Sequence, residues 1–227
     1  MSVSPLAPRD RPATDRAYDY TKDGITSGLL RGGDLISEGD VAQALQISRT
    51  PVREAFLRLA SEGLLRLYPK RGALIVPVTP SEVSDVLTAR QLIEPWSVAV
   101  ATGLPRARRD TLVEALGALL AAQRQALEEE RLPDFHLADC EFHLTIVEAA
   151  GNDLLSHFYR SLRDRQLRML DTATIRDPGR RTVILEQHEA LLVAIREGKG
   201  ADAATTISDH LGGTAEAIGG ATADLRG

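Results

Sequence analysis

A chain of 227 residues, 43% of them hydrophobic, carries enough apolar material for two cores, yet it has no run of about eighteen apolar residues to cross a bilayer. The polar, Pro-rich start MSVSPLAPRDRPATDR has no signal-like apolar stretch, and the single cysteine, Cys140, excludes an internal disulfide or a multi-thiolate metal site, so a cytoplasmic protein with no membrane partner is expected. The net charge of −5 divides into +2 over residues 1–80 and −7 over residues 81–227, which argues against a generic polyanion binder, suggests different partners for the two parts and leaves the first alone able to approach DNA.

Residues 1–14 read as a flexible arm with no assigned role. A helix is expected from Asp15 to Ser27, capped by Thr14 or Asp15 and closed by Gly28. Leu29-Leu30 then leads into the turn Arg31-Gly32-Gly33-Asp34. Ser37 caps a second, short helix to about Leu45, with Val41, Ala42 and Leu45 on one face, and Gln46-Ile47-Ser48 is the turn. A third helix starts at Thr50 or Pro51, because Pro suits the first helical position, and runs to about Glu62. Beyond Gly63 the period changes: Leu64 to Tyr68 and Ala73 to Val76, joined by Pro69-Lys70-Arg71-Gly72, predict a two-stranded hairpin. Three helices and a basic-tipped hairpin make a winged helix-turn-helix over residues 15–76. Pro77-Val78-Thr79-Pro80 is stiff and reads as a linker, with Thr79 or Ser81 capping the next helix. From 81 to about 220 helical periods recur near 81–103, 106–130, 133–150, 153–173, 180–197 and 201–218, which predicts an antiparallel all-α bundle and a mainly α protein. Pro95 falls inside the first of these segments and is expected to kink or split it.

The run Ser48-Arg49-Thr50-Pro51-Val52-Arg53-Glu54-Ala55 places two arginines four apart at the start of the third helix. Alone, such a pair is usually a solvated face. Here it follows a short helix and a three-residue turn and precedes a basic hairpin, the order that docking of a helix-turn-helix requires. Arg49 and Arg53 can then reach guanine edges and the Thr50 hydroxyl a backbone oxygen beside free helix N–H groups, with Ser48 a further DNA-binding candidate, while Lys70 and Arg71 at the hairpin tip enter or flank the minor groove and Gly72 permits the tight turn. Arg58, farther along, is a weaker candidate. Through Ile25-x-x-Gly28, Leu35, Val41-Ala42, the run Ser48–Ala55 and Glu62-Gly63-Leu64, the sequence resembles the GntR-type regulators. The resemblance implies a homodimer that reads a palindrome-like double-stranded DNA operator with Arg49, Thr50, Arg53 and the wing near Gly72. Gly39 departs from it, standing where such proteins often carry a DNA-contacting Arg.

Asp139 and His143 lie four apart in a helical segment and can share one ion. His188 and His210 lie on the last two helices, across the break Gly198-Lys199-Gly200, where they can come level and face the first pair. Imidazoles with a carboxylate suit a divalent metal at an open site, zinc first, with nickel, manganese or iron as alternatives. His136 and His157 read as ordinary core or surface histidines. Residues 81–218 resemble the helical FCD effector domain of the FadR-like branch, through Asp139-Cys-Glu-Phe-His143, Gly151-Asn152, Glu186-x-His188 and Asp209-His210. That resemblance implies a metal held by Asp139, His143, His188 and His210, and a small carboxylate or sugar acid as effector. Arg90, and Gln166 on the same face as Phe158, Leu162 and Met169, are the candidate effector contacts, although Arg90 and Glu94 also fit an ordinary i,i+4 ion pair. The expected function is a ligand-responsive transcriptional repressor. The alternative is a metal-dependent hydrolase using the Asp/His site, for which no spare general base stands out, since Glu141 and Glu148 are off the face of Asp139 and His143.

Overall fold

The computed structural model describes residues 11–69, 71–176 and 178–223, and these divide after Pro77 into two units, each with its own core. Most of the N-terminal arm (residues 1–10) and Lys70, expected at the wing tip, lie outside the described residues.

In the first unit α1 (Ala13–Thr26) packs against α3 (Arg49–Ser61), with α2 (Glu38–Leu45) between the turn segments. The first helix starts two residues before the expected Asp15, directly after Pro12, whose ring fixes φ at −48°. The Thr14 hydroxyl, expected as a cap, instead donates to Glu54 at 2.8 Å. Ser37 does cap α2, accepting from the Asp40 N–H at 3.1 Å. Val52, Ala55, Phe56 and Leu59 follow the i, i+3, i+4, i+7 pattern and bury one face of α3 against Ala17 and Ile25 of α1 and Val41 of α2. The opposite face is left to solvent.

The hairpin β2 (Leu65–Tyr68) and β3 (Gly72–Ile75) forms as the alternation predicts, but it is not alone. A two-residue strand, β1 (Leu35–Ile36), pairs with the free edge of β3 with Leu35 opposite Leu74, giving an antiparallel sheet in the order β1-β3-β2. Two residues are too few to show a strand period, which is why the sequence predicted only two strands. Gly72 sits at φ +94°, and a Cβ there would lie 2.3 Å from the Ile36 carbonyl oxygen, so only glycine lets β1 close against the hairpin.

The second unit is built, among the described residues, from α4 (Pro80–Thr102), α5 (Arg106–Glu128), α6 (Leu132–Ala149), α7 (Asp153–Arg176), α8 (Pro178–Glu197) and α9 (Gly200–Ala223). Thr79 caps α4 by accepting from the Glu82 N–H at 3.1 Å. Pro95 does not split α4, which runs through it. Pro95 is flanked by buried Ile93, Glu94, Ser97 and Val98, and that tertiary packing holds the helix together despite the missing N–H. Helix α5 packs on α6 and α8, and α4 on α9, around Leu116, Phe135, Phe142, Leu191, Ile195 and Ile207. Each such buried side chain contributes roughly 1.5–3 kcal/mol relative to exposure. Two smaller clusters run between α4 and α7: Val86 and Leu87 meet Met169, whereas Ile93 meets Tyr159 and Leu162. The two helices are thus antiparallel there, with Arg90 of α4 and Gln166 of α7 each lying between the two clusters along its own helix.

Candidate functional site

Phe135, Phe142 and Ile146 anchor α6 in the core, and this orientation turns Asp139 and His143, one helical turn apart, toward the middle of the bundle. There they meet His188 of α8 and His210 of α9. All four are buried, and one donor atom from each lies within 4.8 Å of the others. His143 Nε2 is 3.1 Å from His210 Nε2 and 3.2 Å from His188 Nε2, while His188 Nε2 is 3.5 Å from Asp139 Oδ1. The structure therefore brings together the four residues that the sequence singled out for a metal.

The second nitrogen of each ring faces an oxygen. His188 Nδ1 lies 2.8 Å from Gln123 Oε1, His210 Nδ1 lies 3.1 Å from Gln187 Oε1, and His143 Nδ1 lies 2.8 Å from Glu94 Oε2. The last contact is at ion-pair distance but off the hydrogen-bond axis, and neither of its atoms has a hydrogen-bond partner. A neutral imidazole carries one proton, and the Gln123 and Gln187 oxygens behind His188 and His210 favour that proton on Nδ1 in those two rings. His143 Nε2 faces His210 Nε2 and His188 Nε2 across 3.1 and 3.2 Å, a crowding of ring nitrogens that a shared cation relieves. Burial, reinforced by the nearby His143, holds His188 and His210 well below the usual imidazole range, so both are neutral and able to ligate. Burial also raises the Asp139 carboxyl against the pull of His143 and Arg90, and Asp139 Oδ2 is buried without a hydrogen-bond partner. Three imidazoles and a carboxylate with an unmet oxygen fit a divalent metal of nitrogen and oxygen preference.

Supporting residues complete the centre. The Gln123 amide holds two ligands at once, since its Nε2 donates to Asp139 Oδ1 at 3.4 Å while its Oε1 backs His188. The Phe142 ring stacks on His188, with centroids 4.2 Å apart and planes 7° from parallel, fixing the plane of that imidazole. Sequence reasoning missed Gln123 and Gln187. The signal for Gln123 was a lone polar residue continuing the apolar stripe Leu112, Leu116 and Leu120 of α5.

Arg90 is 1% exposed and donates from Nε to Glu94 Oε1 at 2.6 Å, so the i,i+4 ion pair is present, and it is buried. Tyr159 donates its hydroxyl to the same oxygen at 2.5 Å. Burial is the largest single influence and would raise the Glu94 carboxyl, but Arg90 and His143 together outweigh it and hold it far below the usual carboxylate range. Two buried donors are left over: Arg90 Nη2 and Gln166 Nε2 have no hydrogen-bond partner. Phe158, expected on the face of Gln166, is instead 49% exposed, because the buried stripe of α7 runs through Tyr159, Leu162, Gln166 and Met169. His136 is buried but is not among the four residues whose donor atoms converge, and His157 is exposed. Glu141 and Glu148 face Arg163 and Arg160 in ion pairs on the outer side of α6, so neither stands by as the general base of a hydrolase.

In the first unit Ser48, Arg49, Thr50 and Arg53 are all exposed, on the side of α3 opposite its buried face. Ser48 occupies the N-cap position but caps nothing with its hydroxyl, which leaves that hydroxyl and the first N–H groups of the helix available to a phosphate. Arg71 is exposed beside Gly72 at the wing tip. Gly39 leaves Arg49 room against α2, since a Cβ there would lie 3.5 Å from its Nη2. Arg58 is engaged internally: its guanidinium covers the Tyr18 ring at 3.7 Å and pairs with Asp15 and Glu62.

Residues 85–213 match the FCD domain family, and residues 13–75 match the bacterial regulatory proteins of the gntR family. The chain belongs to the GntR family, with an FCD domain as its second part. It is a ligand-responsive, DNA-binding transcriptional regulator and not an enzyme, which sets the hydrolase alternative aside. It is 27% identical over 221 residues to the HTH-type transcriptional repressor RspR of Escherichia coli K12, covering 96% of this chain and 94% of that one. It is 30% identical over 139 residues to the gluconate operon transcriptional repressor of Bacillus subtilis, covering 61% and 56% respectively. The structure of E. coli McbR/YncC shares the fold at a TM-score of 0.73 and 22% identity, over 92% of this chain and 97% of that one. Among the described residues, no helix of this GntR protein is long and apolar enough to cross a membrane.

Proposed function

We propose that this chain is a homodimeric, cytoplasmic repressor whose operator affinity responds to a small carboxylate or sugar acid gathered at a metal in the FCD domain. Ser48, Arg49, Thr50 and Arg53 of α3, with Lys70, Arg71 and Gly72 of the wing, contact the operator. Asp139, His143, His188 and His210 hold the metal, with zinc favoured by the imidazole-rich, thiolate-free donor set and nickel, manganese or iron as alternatives. When bound, the metal supplies a Lewis-acidic centre for carboxylate or hydroxyl oxygens. Arg90 and Gln166 supply the remaining grip, and the acid and repressor assignments draw support from relatives named as a gluconate operon repressor and as RspR, a transcriptional repressor.

One observation carries the reading: three imidazole Nε2 atoms and a carboxylate converge in the core while buried donors on Arg90 and Gln166 lack an acceptor. A buried donor without a partner costs roughly 1–3 kcal/mol, and an anion oxygen would remove that cost. The test is fluorescence anisotropy of promoter fragments at moderate ionic strength, with zinc-loaded and chelated protein and a panel of sugar acids. One palindrome-like sequence is expected to bind above random fragments, and one acid is expected to shift that affinity at least about fivefold. Equal binding to all fragments overturns the operator reading. Acid binding that survives chelation in folded protein overturns the role of the metal.

A further inference from the structure

Glu94 is a carboxylate whose two oxygens do different work. Oε1 receives Arg90 Nε at 2.6 Å and the Tyr159 hydroxyl at 2.5 Å, whereas Oε2 faces His143 Nδ1 at 2.8 Å. A carboxylate that is counter-ion to a buried arginine frequently takes the guanidinium fork with both oxygens. Here Arg90 Nη2 has no partner, and the second carboxylate oxygen stands at ion-pair distance from a metal-ligand histidine, outside hydrogen-bond geometry. The other two rings are backed by the neutral amides of Gln123 and Gln187, so Glu94 is the one charged group among the three acceptors. A carboxylate behind an imidazole fixes its proton on the nitrogen it faces and makes the opposite nitrogen a stronger donor to metal.

We infer that Glu94 is the positioning residue that sets the metal affinity of this FCD domain, by holding the proton of His143 on Nδ1 and its Nε2 toward the other ligands. The same carboxylate ties that ligand to Arg90, so an acid bound at the free Nη2 and an ion bound at His143 act on one shared group. This second half rests on the effector reading above, and the first half does not.

The test uses the full chain and zinc alone. Zinc affinity is measured by competition with a chromogenic chelator in the wild type, in Glu94→Gln and in the double variant Arg90→Met/Glu94→Leu, which removes both buried charges. Helical content is followed by circular dichroism. Both variants are expected to bind zinc about 10–100-fold more weakly than the wild type while keeping their helical signal. A folded double variant with zinc affinity within about twofold of the wild type overturns the proposal and reduces Glu94 to a counter-ion of Arg90. Long-range 15N–1H NMR of the chelated wild type gives a reading that needs no variant. The His143 proton is expected on Nδ1, and its location on Nε2 overturns the proposal. Wild-type protein that takes up no zinc fails the metal reading itself, an outcome distinct from either of these.

Discussion

The amide oxygen of Gln123 on α5 lies 2.8 Å from Nδ1 of His188 on α8, and the nitrogen of the same amide faces Asp139 of α6 at 3.4 Å. One neutral side chain thus braces two metal-site residues from two other helices. Replacing it by leucine keeps the volume and removes both contacts, so Gln123→Leu should cost about 1–3 kcal/mol of stability in the metal-free protein. It should also weaken zinc binding by about 10–100-fold. Urea unfolding with chelator present and zinc titration separate the two effects. Unchanged zinc affinity in a destabilised variant would show that Gln123 supports the core alone.

Gly72 should not tolerate a side chain. Its φ of +94° disfavours any Cβ, and that atom would meet the backbone oxygen of Ile36 at 2.3 Å, a contact that no rotamer relieves. Gly72→Ala is expected to destabilise the first unit by at least about 2 kcal/mol, through left-handed strain and the detachment of β1. Hydrogen exchange at Ile36 and Ile75 reports the loss directly.

The arginines of α3 differ in what they should do from those of ordinary surface helices. Arg49→Ala and Arg53→Ala are each expected to remove about 1–3 kcal/mol of discrimination between the preferred operator and single-base variants of it. Binding across a set of point-substituted operators measures this. A loss that is uniform over the set reassigns the residue to phosphate contact, with a reduced salt slope as its signature.

His136, outside the four converging metal-site residues, gives the fold an acid-sensitive point. Burial, with the Arg181 charge as a smaller contribution, lowers its pKa from 6.5 to about 4, so the folded state keeps it neutral where the unfolded chain has already taken a proton. Above pH 6.5 neither state is protonated and the stability is complete; it falls as pH drops from 6.5 toward 4 and levels off below, once the folded state also titrates. The full shift corresponds to about 3 kcal/mol. Chelated wild type and His136→Gln, unfolded in urea at pH 7 and pH 4.5, should differ in how much stability they lose, with the smaller loss in the variant. Equal losses would mean that His136 takes its proton at the same pH in both states.

Much of this architecture could be read along the chain because it is encoded locally. The Ser37 and Thr79 caps, the apolar face of α3 and the six helical periods after the linker depend on residues within a turn or two of one another. Where local rules and tertiary packing disagreed, packing prevailed: α4 runs through Pro95, β1 forms from two residues, and Phe158 turns outward while Gln166 goes in.

The sequence by itself determined the kinds of donor available for a metal and the arginines available for DNA, because residue type and helical spacing set chemistry and face. Only the tertiary structure decided what stands behind each imidazole. Glu94, Gln123 and Gln187 lie 49, 65 and 23 residues from the rings they face. No periodicity spans such separations. The direction in which a ring nitrogen presents its lone pair is fixed by the acceptor opposite it, and helix packing alone brings that acceptor there.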